Sequence, residues 1–168
     1  MFEKGEIWAY PTDTSFGLGV RADDERGLEA LATLKGRDNT KYFSLMVRDE
    51  EMLRHFANVP EDITEEFFLE LPRTVILCPT RHLPLSKFWP VDKVAFRIAT
   101  LPEVAREITF PVTATSANLS GEPPIFEAKI IREKFGEKVK MFPGIEHLMV
   151  CPSSEIWDFT EVPPRRLR

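Results

Sequence analysis

The sequence predicts an α/β domain built on a mixed β-sheet with flanking helices. Apolar runs of strand length alternate along the chain with segments of helical period, the pattern of layered α/β folds. Several connections are too short for helical crossovers, so antiparallel pairs must accompany any parallel ones. The chain has 168 residues, 43% hydrophobic and 29% charged, which suits one domain over residues 1–168. A domain of that size buries roughly two thirds of its unfolded surface.

The elements follow in order. Ile7-Trp8-Ala9-Tyr10 is rich in strand formers, and Pro11 closes it. Pro11-Thr12-Asp13-Thr14 reads as a loop, with Gly17 and Gly19 as turn residues. Asp23 or Asp24 caps a helix whose Leu28, Leu31 and Leu34 recur at helical spacing, and Gly36 stops it. Tyr42 to Val47 predicts a strand, Glu50 to Phe56 and Asp62 to Leu71 predict helices, and Thr74 to Cys78 predicts a short buried strand. Residues 80–93, glycine-free and weakly periodic, form the longest loop, either a lid or plain surface. A strand at Val94 to Ala99, a helix from Pro102 and a strand at Phe110 to Ala114 come next. Glu127 to Phe135 is an amphipathic helix stopped by Gly136, Ile156 to Phe159 a late strand, and Arg165-Arg166-Leu167-Arg168 a basic tail.

Composition excludes several functional classes. A net charge of -5 argues against a protein that coats nucleic acid nonspecifically, so any anion site must be a local cluster. Cys78 and Cys151 stand singly, without CxxC or zinc spacing, which suits a reducing compartment; the cytoplasm is expected. A basic leader with an apolar core and an apolar run of membrane length are both lacking, so neither export nor a membrane partner is expected. Neither GxxxxGK[ST] nor GxGxxG occurs, and His55, His82 and His147 fall in unrelated contexts, which removes a Walker loop, a Rossmann fingerprint and a hydrolase triad.

Two segments point to an oxyanion such as a polyphosphate. Lys35-Gly36-Arg37 supplies a point charge and a planar fork, and Ser116-Ala117-Asn118-Leu119-Ser120-Gly121 supplies neutral hydrogen bonds. Each has a plainer explanation alone: cations are favoured at a helix C-terminus, and Ser, Asn and Gly are ordinary turn residues. Thr12 and Thr14 around Asp13 also fit a side-chain-to-backbone turn, and the basic C-terminal stretch fits a solvated tail.

Taken together, the run from strand through Pro-Thr-Asp-Thr, Gly-Leu-Gly, helix, Lys-Gly-Arg and a later Thr-Ser-Ala-Asn-Leu-Ser-Gly resembles the YrdC-like family. The resemblance spans Pro11 to Gly19, Leu34 to Arg37, Val94 to Ile98, Pro111 to Gly121 and Pro152 to Arg168. It implies a twisted mixed sheet with a concave basic face, and an enzyme of the threonylcarbamoyl-AMP synthase type. Such an enzyme joins L-threonine, bicarbonate and ATP into threonylcarbamoyl adenylate and pyrophosphate, with Mg2+ carried on the ATP phosphates. The product serves threonylcarbamoyladenosine formation in tRNA, so downstream threonylcarbamoyl-transfer proteins and tRNA or another structured RNA are implied partners. By the same resemblance Lys35 and Arg37 are catalytic and, with Ser116, Asn118, Ser154 and Arg168, bind ATP; Thr12, Thr14, Lys41 and Arg97 serve the other substrate. Arg165 and Arg166 lie close enough to replace Arg168. The chain departs from the family pattern at Ser15-Phe16, at Asp38, at Tyr42-Phe43 where Pro-Leu is usual, and at Leu69-Glu70-Leu71-Pro72, which lacks a glycine turn. These departures leave room for a paralogue adenylating another carbamate; the main rival reading is a non-catalytic RNA-binding module on the same basic face, and a third is the related domain of hydrogenase maturation proteins, which ordinarily comes joined to zinc-finger and acylphosphatase-like portions that 168 residues cannot contain.

Overall fold

The computed structural model of the chain describes residues 1–36, 41–61 and 63–168. In chain order its elements are β1 (Trp8–Pro11), β2 (Phe16–Gly19), α1 (Glu25–Leu34), β3 (Leu45–Val47), α2 (Glu50–Phe56), α3 (Glu65–Glu70), β4 (Arg73–Leu77) and β5 (Val94–Ile98). There follow α4 (Pro102–Ala105), β6 (Val112–Thr113), β7 (Thr115–Ser116), α5 (Ala128–Phe135), a 3-10 turn at Gly136–Lys138, β8 (Lys140–Met141), β9 (Glu155–Asp158) and β10 (Arg165–Arg166). The class is mixed α/β as the sequence predicts, with the strands divided between two sheets. One has the order β7-β2-β1-β8, the other β10-β9-β4-β5-β3-β6. Both mix parallel and antiparallel neighbours.

The predicted strand at Phe110 to Ala114 is where the sheets join. Val112 and Thr113 pair with β3 in the larger sheet, while Thr115 and Ser116 pair with β2 in the smaller one. Between them the Ala114 amide donates to the Ser44 carbonyl at 2.7 Å, and the Thr113 hydroxyl accepts from the Val20 amide at 3.1 Å. One extended segment therefore serves two sheets, and the Ser-Ala-Asn turn that follows it sits at their seam.

Local chemistry accounts for the element ends. Asp24, not Asp23, caps α1: its buried carboxylate accepts from the amides of Gly27 at 3.0 Å and Gly5 at 2.6 Å. Asp23 instead pairs with Arg21 and Lys4. Gly36 takes φ +57°, the left-handed geometry that ends helices, and places Lys35 at the C-cap. Gly17 and Gly19 are not turn residues. They lie within β2, and a Cβ on Gly19 would stand 2.7 Å from the Tyr10 ring, so the bare strand is what lets that ring lie flat. The predicted strand from Tyr42 shortens to Leu45–Val47, the helix predicted from Asp62 begins at Glu65, with Asp62 itself outside the described residues, and Arg165–Arg166 is a strand paired with β9, not a free tail. Residues 80–93 are anchored as surface by buried Leu83, Phe88 and Trp89. Among the described residues no helix is long and apolar enough to cross a membrane.

Helix α2 offers a direct test of capping. Asp49 accepts from the Met52 amide at 2.8 Å and pairs with Arg48 at 2.6 Å. Partial burial pulls the Asp49 carboxyl upward, but the Arg48 guanidinium and the Met52 amide outweigh it and hold the group below its usual range. Its folded value is lowered, so its contribution is complete above the ordinary aspartate value of about 3.9 and is lost as pH falls through the folded value. Asp49→Ala is expected to cost about 1 kcal/mol at neutral pH in denaturant unfolding, with the difference from wild type vanishing in acid.

Candidate functional site

The two sheets enclose a cleft of about 350 Å³. The β1–β2 hairpin supplies Thr12, Thr14 and Ser15 from one side, and the large sheet supplies Met46, Thr74 and Arg97 from the other. Ser116 and Asn118 enter at the seam, and Ser154 and Arg168 close the remaining wall. Seven stretches of the chain, from the hairpin at Thr12 to Arg168, thus face one space.

Arg97 is the buried cation of this space. Strand β5 brings it to the floor, where it forms an ion pair with Asp13 and approaches the Thr14 hydroxyl at 3.5 Å. Asp13 belongs to the small sheet's hairpin and Arg97 to the large sheet, so the pair latches one sheet to the other. Arg97 Nε is buried without a hydrogen-bond partner among the described residues. Thr12 is occupied locally. Its hydroxyl donates to the Ser15 carbonyl at 2.7 Å and accepts from the Thr14 and Ser15 amides at 3.2 Å each, which makes the Pro-Thr-Asp-Thr loop self-supporting.

Lys35 is 4% exposed, and its ammonium reaches across to the Ser-Ala-Asn turn. It donates to the Ser116 carbonyl at 2.6 Å, the Asn118 carbonyl at 2.7 Å and Asn118 Oδ1 at 3.2 Å. The Lys35 carbonyl accepts from the Ser120 amide at 2.9 Å. The two segments that carry the oxyanion signature therefore fold against each other, and Lys35 organises the turn on which Ser116 and Asn118 stand. Ser116 Oγ in turn donates to Asn118 Oδ1 at 2.6 Å, and Asn118 Nδ2 donates to the Glu122 carbonyl.

On the far wall, the Ser154 hydroxyl meets the Thr74 hydroxyl at 2.9 Å, and Arg168 Nε donates to the Ser154 carbonyl at 2.9 Å. Arg168 lines the cleft, whereas Arg166 is drawn off to Glu155 at 3.0 Å and Arg165 is not part of the lining. Lys41 is exposed and outside the lining, and Arg37 lies outside the described residues.

Thr74 and Ser15 line the cleft and Asp13 pairs with Arg97, three positions to which the sequence assigned no role. Thr74 was legible as the one hydroxyl in the buried run Thr74-Val75-Ile76-Leu77, and Asp13 as the carboxylate between two paired threonines. Tyr10 also lines the cleft; its hydroxyl donates to the Thr113 carbonyl at 2.7 Å. Burial pushes the phenol well above its ordinary value, with Arg97 opposing and Asp13 adding to the rise, so it stays a neutral donor.

The Sua5/YciO/YrdC family model, described as telomere recombination, matches residues 1–168. The chain belongs to this family. It is 35% identical over 154 residues to the threonylcarbamoyl-AMP synthase of Mannheimia succiniciproducens, covering 86% of this chain and 81% of that protein. The crystal structure of Pyrococcus abyssi Sua5 complexed with L-threonine superposes with a TM-score of 0.83 at 29% identity; the match covers 98% of this chain and half of the longer Sua5 chain. The solution structure of the MTH1692 protein from Methanobacterium thermoautotrophicum matches with a TM-score of 0.75 at 36% identity, over 98% of this chain and 80% of that one. The YrdC-like resemblance read from the sequence is thus borne out.

Proposed function

We propose that the chain is a threonylcarbamoyl-AMP synthase, a nucleotidyltransferase that forms threonylcarbamoyl adenylate for threonylcarbamoyladenosine in tRNA. The observation that carries this reading is the convergence of Thr14, Arg97, Ser116, Asn118, Ser154 and Arg168 on one cleft. The names of its relatives, and the L-threonine bound by the Pyrococcus protein, support the same reading.

The chemistry asks little covalent work of the protein. The threonine amine takes up bicarbonate, releasing water, and the carbamate oxygen then attacks the α-phosphorus and expels pyrophosphate. Positioning and charge neutralisation dominate such a step. Arg97 at the cleft floor suits the amino-acid carboxylate, with Thr14 beside it. Arg168 suits phosphate, and Ser116 and Asn118 offer hydrogen bonds from a turn that Lys35 holds rigid. The Arg37 fork would complete the cation set. Enclosure between two sheets limits water, which matters because an exposed carbamate loses carbon dioxide and an exposed mixed anhydride hydrolyses.

Magnesium would add charge neutralisation on the phosphates. Among the described lining residues Glu122 is the one carboxylate, and it is already paired with Lys134, so the donor set fits an ion delivered on ATP rather than one held in a carboxylate cage. A cytoplasmic setting suits the single cysteines 78 and 151.

The deciding experiment measures pyrophosphate released from ATP and bicarbonate with each amino acid in turn. Release is expected with L-threonine and not with the others. Release with a different amino acid would make the chain a paralogue, and RNA binding indifferent to ATP, with no release, would make it a binding module.

A further inference from the structure

The Ser-Ala-Asn turn is held by more than Lys35. Glu122, just past Gly121, closes back onto it through three contacts: its amide donates to the Leu119 carbonyl at 3.1 Å, its carbonyl accepts from Asn118 Nδ2, and its carboxylate accepts from the Leu119 amide at 3.3 Å. The same carboxylate pairs with Lys134 in the last turn of α5. The other basic residues of α5 are engaged away from the cleft, Lys129 with Glu133 and Arg132 with Glu146. Lys134 is thus the α5 cation that meets a cleft-lining residue.

We propose that Lys134 is a positioning residue for nucleotide binding: it draws the Glu122 carboxylate toward α5 and offsets its charge, so that phosphates approaching Ser116 and Asn118 meet no free anion. The inference rests on the ATP-dependent reading above. Glu122 is the one carboxylate among the described lining residues, where the cations are Arg97 and Arg168, and Arg97 is already paired with Asp13. The lining therefore carries little surplus positive charge, and an unpaired Glu122 would cancel Arg168. Its hydrogen bond from Lys134 holds the Glu122 carboxyl below its usual range. Without Lys134 a glutamate returns toward its ordinary value of about 4.3 and still carries its charge at neutral pH. Loss of the lysine thus leaves an anion in the cleft and not a neutral acid. The pair is partly exposed, so its weight in fold stability is small. Its effect falls on a multiply charged ligand.

Calorimetric titration with ATP and with AMP at low ionic strength, where exposed charges are least screened, reads this directly. Lys134→Met is expected to weaken ATP by about fivefold, the upper end for one exposed charge contact, and AMP by clearly less, because the penalty grows with phosphate charge. Lys134→Arg keeps the cation and is expected to bind ATP as wild type does. The double variant Glu122→Gln, Lys134→Met removes both charges and is expected to recover wild-type ATP affinity. In the pyrophosphate assay Lys134→Met is expected to raise the KM for ATP with kcat little changed. Unchanged ATP affinity in Lys134→Met, equal loss for ATP and AMP, or a double variant as weak as Lys134→Met overturns the inference, the last by making the pair a structural tether; each leaves the synthase reading standing. Wild-type protein that binds no ATP removes both.

Discussion

Lys35→Met is expected to lose pyrophosphate formation by roughly a hundredfold or more, the scale of removing one preorganised polar contact in an active site, and to melt at a lower temperature. Methionine matches the length of lysine but donates no hydrogen bond, so the Ser116 and Asn118 carbonyls lose a partner they now hold at 2.6 and 2.7 Å. Hydrogen bonds to a charged group contribute about 1.5–3 kcal/mol each, and about 1 kcal/mol moves the melting point of a domain this size by roughly 2–4 °C. A fall of around ten degrees together with lost activity identifies Lys35 as the support of the Ser-Ala-Asn turn. Lost activity at an unchanged melting temperature would instead place its charge on the nucleotide alone. Scanning calorimetry beside the pyrophosphate assay separates the two.

Arg97→Met is expected to be the most destabilising single change in the cleft, by about 3–5 kcal/mol, because removing one member of a buried ion pair strands the other. Asp13 would remain under the hairpin with its carboxylate uncompensated, and the latch between the two sheets would open. The double variant Asp13→Asn, Arg97→Met removes both charges and is expected to recover most of that stability in denaturant unfolding. Threonine use is not expected to return with it, since the amino-acid carboxylate still lacks its cation. A double variant as unstable as Arg97→Met would show that the pair is not what joins the sheets; one that regains the wild-type KM for threonine would remove Arg97 from the substrate site.

The helices were legible because their determinants are local. Asp24 and Gly36 bound α1, and Gly136 ends α5, each through contacts within a turn of the helix end. The strands were legible as runs but not as partners. Phe110 to Ala114 is apolar and extended, yet its division between two sheets depends on the amides of Ala114 and Thr113 finding Ser44 and Val20, about seventy and ninety residues away. Gly17 and Gly19 carry the composition of a turn, and only the Tyr10 ring lying over them explains them as strand. Within the site, Ser116, Asn118, Arg97 and Ser154 fall where the motifs indicate, whereas Lys41 stays outside the cleft lining. Thr74 escaped notice because a hydroxyl in an apolar run acquires meaning only from the Ser154 hydroxyl opposite it.

From residue order alone come the alternation of helix and strand, the capping residues and the presence of a cationic segment and a Ser-x-Asn turn, since all of these reside in short-range geometry and side-chain type. Only the folded chain decided that the strands form two sheets, that Asp13 and Arg97 lock them together, and that Lys35 turns inward to hold the turn carbonyls. Those choices are made by hydrogen-bond partners and buried charges far apart in sequence, whose energies exist only once the backbone has brought them within about 3 Å.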